Sequence, residues 1–130
     1  MEDTKYLTTQ QIIEINKEVL KKIRVKRADS HRVLNRKKLE EIVRGTRELG
    51  KDLYEKAAYL LMGVVKEHPF ASGTRRTAYT ATRIFLEANG EALHVKYEAT
   101  VFTGIREGFY TRLEVIDWLK GNAIRKFSRA

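Results

Sequence analysis

The chain has 130 residues, with 26 Lys and Arg against 17 Asp and Glu, and so carries a formal charge of +9. It contains no cysteine, which excludes disulfides, thiolate metal sites and cysteine nucleophiles. No apolar run approaches the roughly 18 residues that a bilayer-spanning helix needs, and nothing at the start reads as a leader, so a cytoplasmic protein with no membrane contact is expected. The length suits one domain over residues 1–130. A surface this basic favours polyanions: nucleotides, nucleic acid or an acidic protein partner.

Taken in chain order, the elements read as helices. Thr8 with Gln11 forms a capping box, and Leu7 with Ile12 a hydrophobic staple. Ile12, Ile15, Val19 and Ile23 follow at helical spacing. The basic run from Lys21 to Arg32 reads as a solvated helix end and loop. Asn35 is placed to cap a second helix carrying Leu39, Ile42 and Val43, which the stretch from Gly45 to Gly50 should break. Asp52 with Glu55 makes another capping box and opens the most apolar segment, Leu53, Ala57, Leu60, Leu61, Val64 and Val65. Small Ala57, Ala58 and Gly63 allow close packing, so this is the expected central helix.

That helix must stop near Glu67, because Pro69 disfavours helical geometry at His68. After a short loop, Thr77, Ala78, Ala81, Ile84 and Phe85 mark a new helix, ended by the left-handed cap signal Asn89-Gly90. Leu93 to Val95 reads as a short extended piece, and a helix is expected from about Tyr97 to Arg106, closed by Gly108. Thr111 with Glu114 forms a third capping box, with Tyr110 and Val115 as its staple. The last helix carries Val115, Ile116 and Leu119, with Trp118 half buried. The expectation is an all-α, compact bundle of about six helices around a central helix–loop–helix.

The segment from Lys66 to Arg83 carries the chemistry. A helix that starts straight after a Gly-containing loop presents free N–H groups and the positive end of its dipole, which together favour an anion. Arg75 and Arg76 in its first turn oppose the dipole, a penalty that a bound phosphate reverses. Arg76 and Arg83 lie seven residues apart and share a face with Thr80. His68 stands at the mouth of the loop as a candidate general base, although a histidine at a helix end commonly hydrogen-bonds its own loop. The residues alone thus give a phosphate-binding helix–loop–helix with a histidine beside it.

The string from His68 to Ala78, HPFASGTRRTA, resembles the signature of the Fic/Doc family, HPFxDGNGR in Fic proteins and ending NKRTA in the Doc branch. Tyr6-Leu7-Thr8, Glu55-Lys56-Ala57-Ala58 and Phe85-Leu86-Glu87-Ala88-Asn89-Gly90 resemble the death-on-curing (Doc) branch as well. The resemblance implies that His68 activates a target hydroxyl and that Phe70 anchors the loop in the core. It implies that Gly73 with the backbone of Thr74 and Arg75 forms an anion hole, and that Arg76 grips phosphate. Arg83 joins Ser72, Gly73, Thr74, Arg75 and Arg76 as an expected nucleotide-binding residue. Arg75 stands where Doc has lysine and Fic has glycine, which in the family goes with an inverted nucleotide and transfer of the terminal phosphoryl group. Tyr79 stands where Fic proteins have a second arginine.

Two positions depart from the pattern. Ser72 replaces the acidic or amide residue that holds magnesium, leaving only a neutral hydroxyl as a metal ligand. Thr74 replaces the asparagine that contacts phosphate, although threonine still caps a helix. Thr103 to Gly108 fits the letters of a short inhibitory pattern of Fic proteins, Ser or Thr, three residues, Glu, then Gly or Asn, but its place matches an ordinary C-terminal helix of the Doc branch.

What the resemblance implies is a Doc-like toxin of a toxin–antitoxin pair. It would be a transferase that uses ATP, with Mg2+, to place a phosphoryl or adenylyl group on a hydroxyl of a protein target. In Doc that target is a translation elongation factor, and an acidic antitoxin would suit the charge of +9. The other reading, favoured by Ser72 and Thr74, is a relative that binds nucleotide or a protein partner without catalysis. Nucleic acid is the weakest candidate, because the basic residues are spread along the chain and no recognition helix stands out.

Overall fold

The computed structural model describes residues 3–22, 32–50 and 52–129. Six helices are present among them: α1 (Thr9–Lys22), α2 (Arg36–Glu48), α3 (Leu53–Glu67), α4 (Thr74–Ala88), α5 (Ala99–Arg106) and α6 (Arg112–Leu119). No strand is found in the described residues, only an isolated antiparallel bridge between Val33 and Phe70. The fold is all-α. Ile23 and most of the basic run that ends at Arg32 lie outside the described residues.

The local signals act as read. Thr8 and Gln11 exchange side-chain and backbone hydrogen bonds at the start of α1. Asn35 accepts from the Lys38 N–H, and the capping boxes Asp52/Glu55 and Thr111/Glu114 are both complete. After α4 the Glu91 N–H reaches the Leu86 carbonyl and the Gly90 N–H that of Glu87, with Gly90 at φ 82. These are the two crossed bonds of a left-handed helix stop.

Helix α3 is the centre, packed against α2, α4, α5 and α6. Ala57, Ala58, Leu61 and Val64 are fully buried. Helix α1 lies across α4 and touches α2. One buried cation serves the packing. Lys56 of α3 donates to the carbonyls of Thr46, Arg47 and Leu49, which close α2, and so meets acceptors that a helix end leaves open.

Helix α2 runs through Gly45 and ends at Glu48, inside the stretch expected to break it; Tyr59 of α3 occupies the space that a Cβ at Gly45 would need. Three expectations need correction. Trp118 is buried rather than half buried, since its ring packs edge-on against Phe102. Helix α5 begins at Ala99, not Tyr97, and Leu93–Val95 forms no strand. Both differences have one source: Tyr79 donates its hydroxyl to the Val95 carbonyl and its ring meets Tyr97 edge-on, which holds this stretch down on α4 as irregular chain.

Candidate functional site

The site grows from the end of α3. His68 is the C-cap of that helix and takes a left-handed conformation, φ 49 and ψ 60. It is the one non-glycine residue with positive φ among the described residues, a geometry that costs about 1–2 kcal/mol for a residue with a Cβ. The loop that follows is braced on two sides. Phe70 is fully buried, and backbone hydrogen bonds run from Leu34 N–H to Pro69 O and from Ala71 N–H to Arg32 O. From the other side the buried Asn16 of α1 donates to the Ser72 carbonyl at 2.9 Å and to the Thr77 hydroxyl at 3.0 Å, tying loop and α4 together.

Helix α4 then opens at Gly73, φ 73, with no side chain capping it. A Cβ at Gly73 would press on Leu20, so glycine is needed there for space as well as for conformation. The N–H groups of Thr74, Arg75 and Arg76 have no capping acceptor, and these residues line one cleft together with His68, Ala71, Ser72, Gly73, Tyr97 and Arg106. The cleft has a volume of about 350 Å³. It suits an anion by backbone donors, by helix dipole and by side-chain charge.

The side chains around it are held. Arg75 Nη1 donates to Thr103 Oγ1 at 2.9 Å, and that hydroxyl donates to Ala99 O of α5. The Arg76 guanidinium stacks 4.2 Å from the centre of the Tyr97 ring. Among the described residues the His68 ring has no hydrogen-bond partner, so it is not spent on its own loop. Partial burial, then the charges of Arg106 and Arg75, push its pKa below the ordinary histidine value. The ring is thus neutral, with a lone pair available, at neutral pH.

The expected site residues divide. His68, Ser72, Gly73, Thr74, Arg75 and Arg76 come together at the cleft. Arg83 does not. It faces the groove between α1 and α4, in which Arg76, Thr80 and Arg83 share one face, and it pairs with Glu87. The Thr74 side chain is also not presented to a ligand. It is 3% exposed and donates to Phe70 O, while Gly73 takes the cap position. Glu107, the acid of the inhibitory pattern, pairs with Arg129 at 2.9 Å and not with a cleft arginine.

The donor set does not fit a magnesium site. The lining residues include no carboxylate, and the Ser72 hydroxyl stands beside Arg75, Arg76 and Arg106. A hard dication prefers carboxylate and water oxygens and is repelled by such neighbours. Asn16, Tyr97, Thr103 and Arg106 were not foreseen as site residues. Only the local signal of a basic helix end pointed to Arg106, and nothing local pointed to the other three.

Residues 6–86, well over half of the chain, match the family described as Fic/DOC. The chain belongs to the Fic/DOC family. The match covers α1 to α3, the loop and nearly all of α4, and stops before α5, α6 and the C-terminal tail. Tyr97, Thr103 and Arg106, which complete the cleft, therefore come from outside the matched region. No curated protein matches the chain.

Proposed function

We propose that the protein is a nucleotide-dependent transferase that modifies a hydroxyl group of a protein target. One observation carries this reading: a partly buried, neutral histidine, with no hydrogen-bond partner among the described residues, stands at the mouth of an uncapped helix N-terminus with Arg75 and Arg76 in its first turn. ATP is the proposed donor. Its phosphates lie against the N–H groups of Gly73, Thr74 and Arg75, with Arg76 pairing to phosphate oxygen. The target hydroxyl gives its proton to His68, and its oxygen bonds to the terminal phosphorus. The bond from that phosphorus to the bridging oxygen breaks, and ADP leaves with the electron pair.

Phosphoryl rather than adenylyl transfer follows from Arg75, whose long side chain stands where the resemblance to Doc implies an inverted nucleotide. The same resemblance supports a cytoplasmic toxin whose target serves translation elongation and whose partner is an acidic antitoxin. The test is incubation with ATP and a cell extract, followed by mass spectrometry of the modified proteins. A phosphorylated serine, threonine or tyrosine that depends on the wild-type protein supports the reading. His68→Ala should keep the fold and lower the rate by about 10²–10⁴-fold.

The second reading, nucleotide or partner binding without transfer, has an observation of its own. The cleft holds no carboxylate, and the Thr74 hydroxyl is turned inward. If the wild-type protein binds ATP while neither it nor His68→Ala modifies any protein, this reading replaces the first.

A further inference from the structure

Arg106 ends α5, about 30 residues beyond the loop in sequence, and is an exposed side chain lining the same cleft as Arg75 and Arg76. Three guanidinium groups from two helices thus border about 350 Å³ that is already positive from the start of α4. None of the three forms an ion pair among the described residues, whereas Arg36, Arg83, Arg125 and Arg129 pair with glutamates; Arg44, Arg47 and Arg112 also form none, but they do not converge on one cleft. Arg75 and Arg76 are instead steadied by uncharged partners, Thr103 and Tyr97. Like charges converging without a counter-ion cost energy that an anion spread over several oxygens recovers. A single phosphate is satisfied by the helix N-terminus and Arg76. A further guanidinium from α5, lining the same cleft, asks for a second phosphate.

We propose that Arg106 is an anion-binding residue supplied by α5, and that it makes the cleft select ligands with two or more adjacent phosphates over those with one. The inference rests on the reading of the cleft as a nucleotide-phosphate site. It also gives the arginines the charge-neutralising task for which the cleft offers a metal no carboxylate.

The test is titration calorimetry with inorganic tripolyphosphate and with orthophosphate, in EDTA so that the side chains alone are read. The proteins compared are the wild type, Arg106→Gln, Arg106→Lys, Arg76→Gln and Arg112→Gln. Arg112 is exposed, lies near Tyr59 away from the cleft, and loses the same charge. Arg106→Gln should bind tripolyphosphate about tenfold more weakly, as expected for one lost charge-assisted contact, with orthophosphate binding little changed. Arg106→Lys should recover part of the loss, and Arg112→Gln should match the wild type. Equal losses in Arg106→Gln and Arg112→Gln would mean diffuse electrostatics and overturn the proposal. Loss in Arg76→Gln but none in Arg106→Gln would overturn it while leaving the nucleotide site in place. No loss in either would remove the site itself.

Discussion

The charges that act on His68 are those of arginines. Its neighbours across the cleft are Arg75 and Arg106, and both, after burial, favour the neutral ring. A base of this kind stays unprotonated to a lower pH than the ordinary histidine value of 6.5 allows. The acid limb of the transfer rate should therefore fall below that pH, and in Arg106→Gln it should move up toward it; a limb unmoved by the substitution would deny the coupling. The same depression makes the folded protein bind fewer protons than the unfolded chain just below pH 6.5. The contribution of His68 to stability is thus full above that pH and falls as pH drops through it toward the folded-state value. Ser72 permits a second prediction. Ser72→Asp places a carboxylate among three arginines, so ATP binding should weaken in EDTA and strengthen with magnesium. Calorimetry under both conditions reads the change, and metal-independent binding in the variant would contradict the charge account of the cleft.

At the scale of elements, the helices are stopped and joined by polar groups as much as by the core. Lys56 closes α2 from α3 through three carbonyls. Lys56→Met leaves those carbonyls without their donor and should lower unfolding stability by about 1–3 kcal/mol, read by denaturant titration. An unchanged midpoint would mean that water replaces the ammonium at no cost. Asn16 does the same work for the site, holding Ser72 and Thr77 from α1. Asn16→Ala should weaken ATP binding along with stability, whereas Lys56→Met should leave ATP binding unchanged. What the sequence made legible follows this division. The capping boxes and the stop at Gly90 are written within three to five residues, and all stand where they were expected. The bonds from Asn16 to Ser72 and from Arg75 to Thr103 span 56 and 28 residues, and no local pattern announces them. The need for glycine at position 45 is hidden in the same way, since the tyrosine that requires it comes from another helix.

At the scale of the whole molecule, the family match and the cleft do not have the same extent. The loop, the histidine and the helix N-terminus lie inside residues 6–86, and α5 adds Arg106 to the cleft from outside that range. The connection that follows α5 and the start of α6 are clasped by the tail. Arg125 of the C-terminal tail pairs with Glu114 and donates to Phe109 O, and Phe127 packs edge-on against Phe109. Hydrogen bonds from Arg125 and then from the Thr111 backbone hold the Glu114 carboxyl down to about 2, so this clasp keeps its charge well into acid. The charge of +9 suggested a polyanion without saying where it would sit; Arg75, Arg76 and Arg106 around one cleft give it a place. The central claim is that this site passes a phosphoryl group from ATP to a protein hydroxyl through His68. The most direct measurement is incubation of the wild type and of His68→Ala with a cell extract and ATP labelled either at the terminal or at the first phosphate. The account predicts protein-bound label from the terminal phosphate alone, lost in His68→Ala. Label from the first phosphate, or equal labelling by His68→Ala, would contradict it.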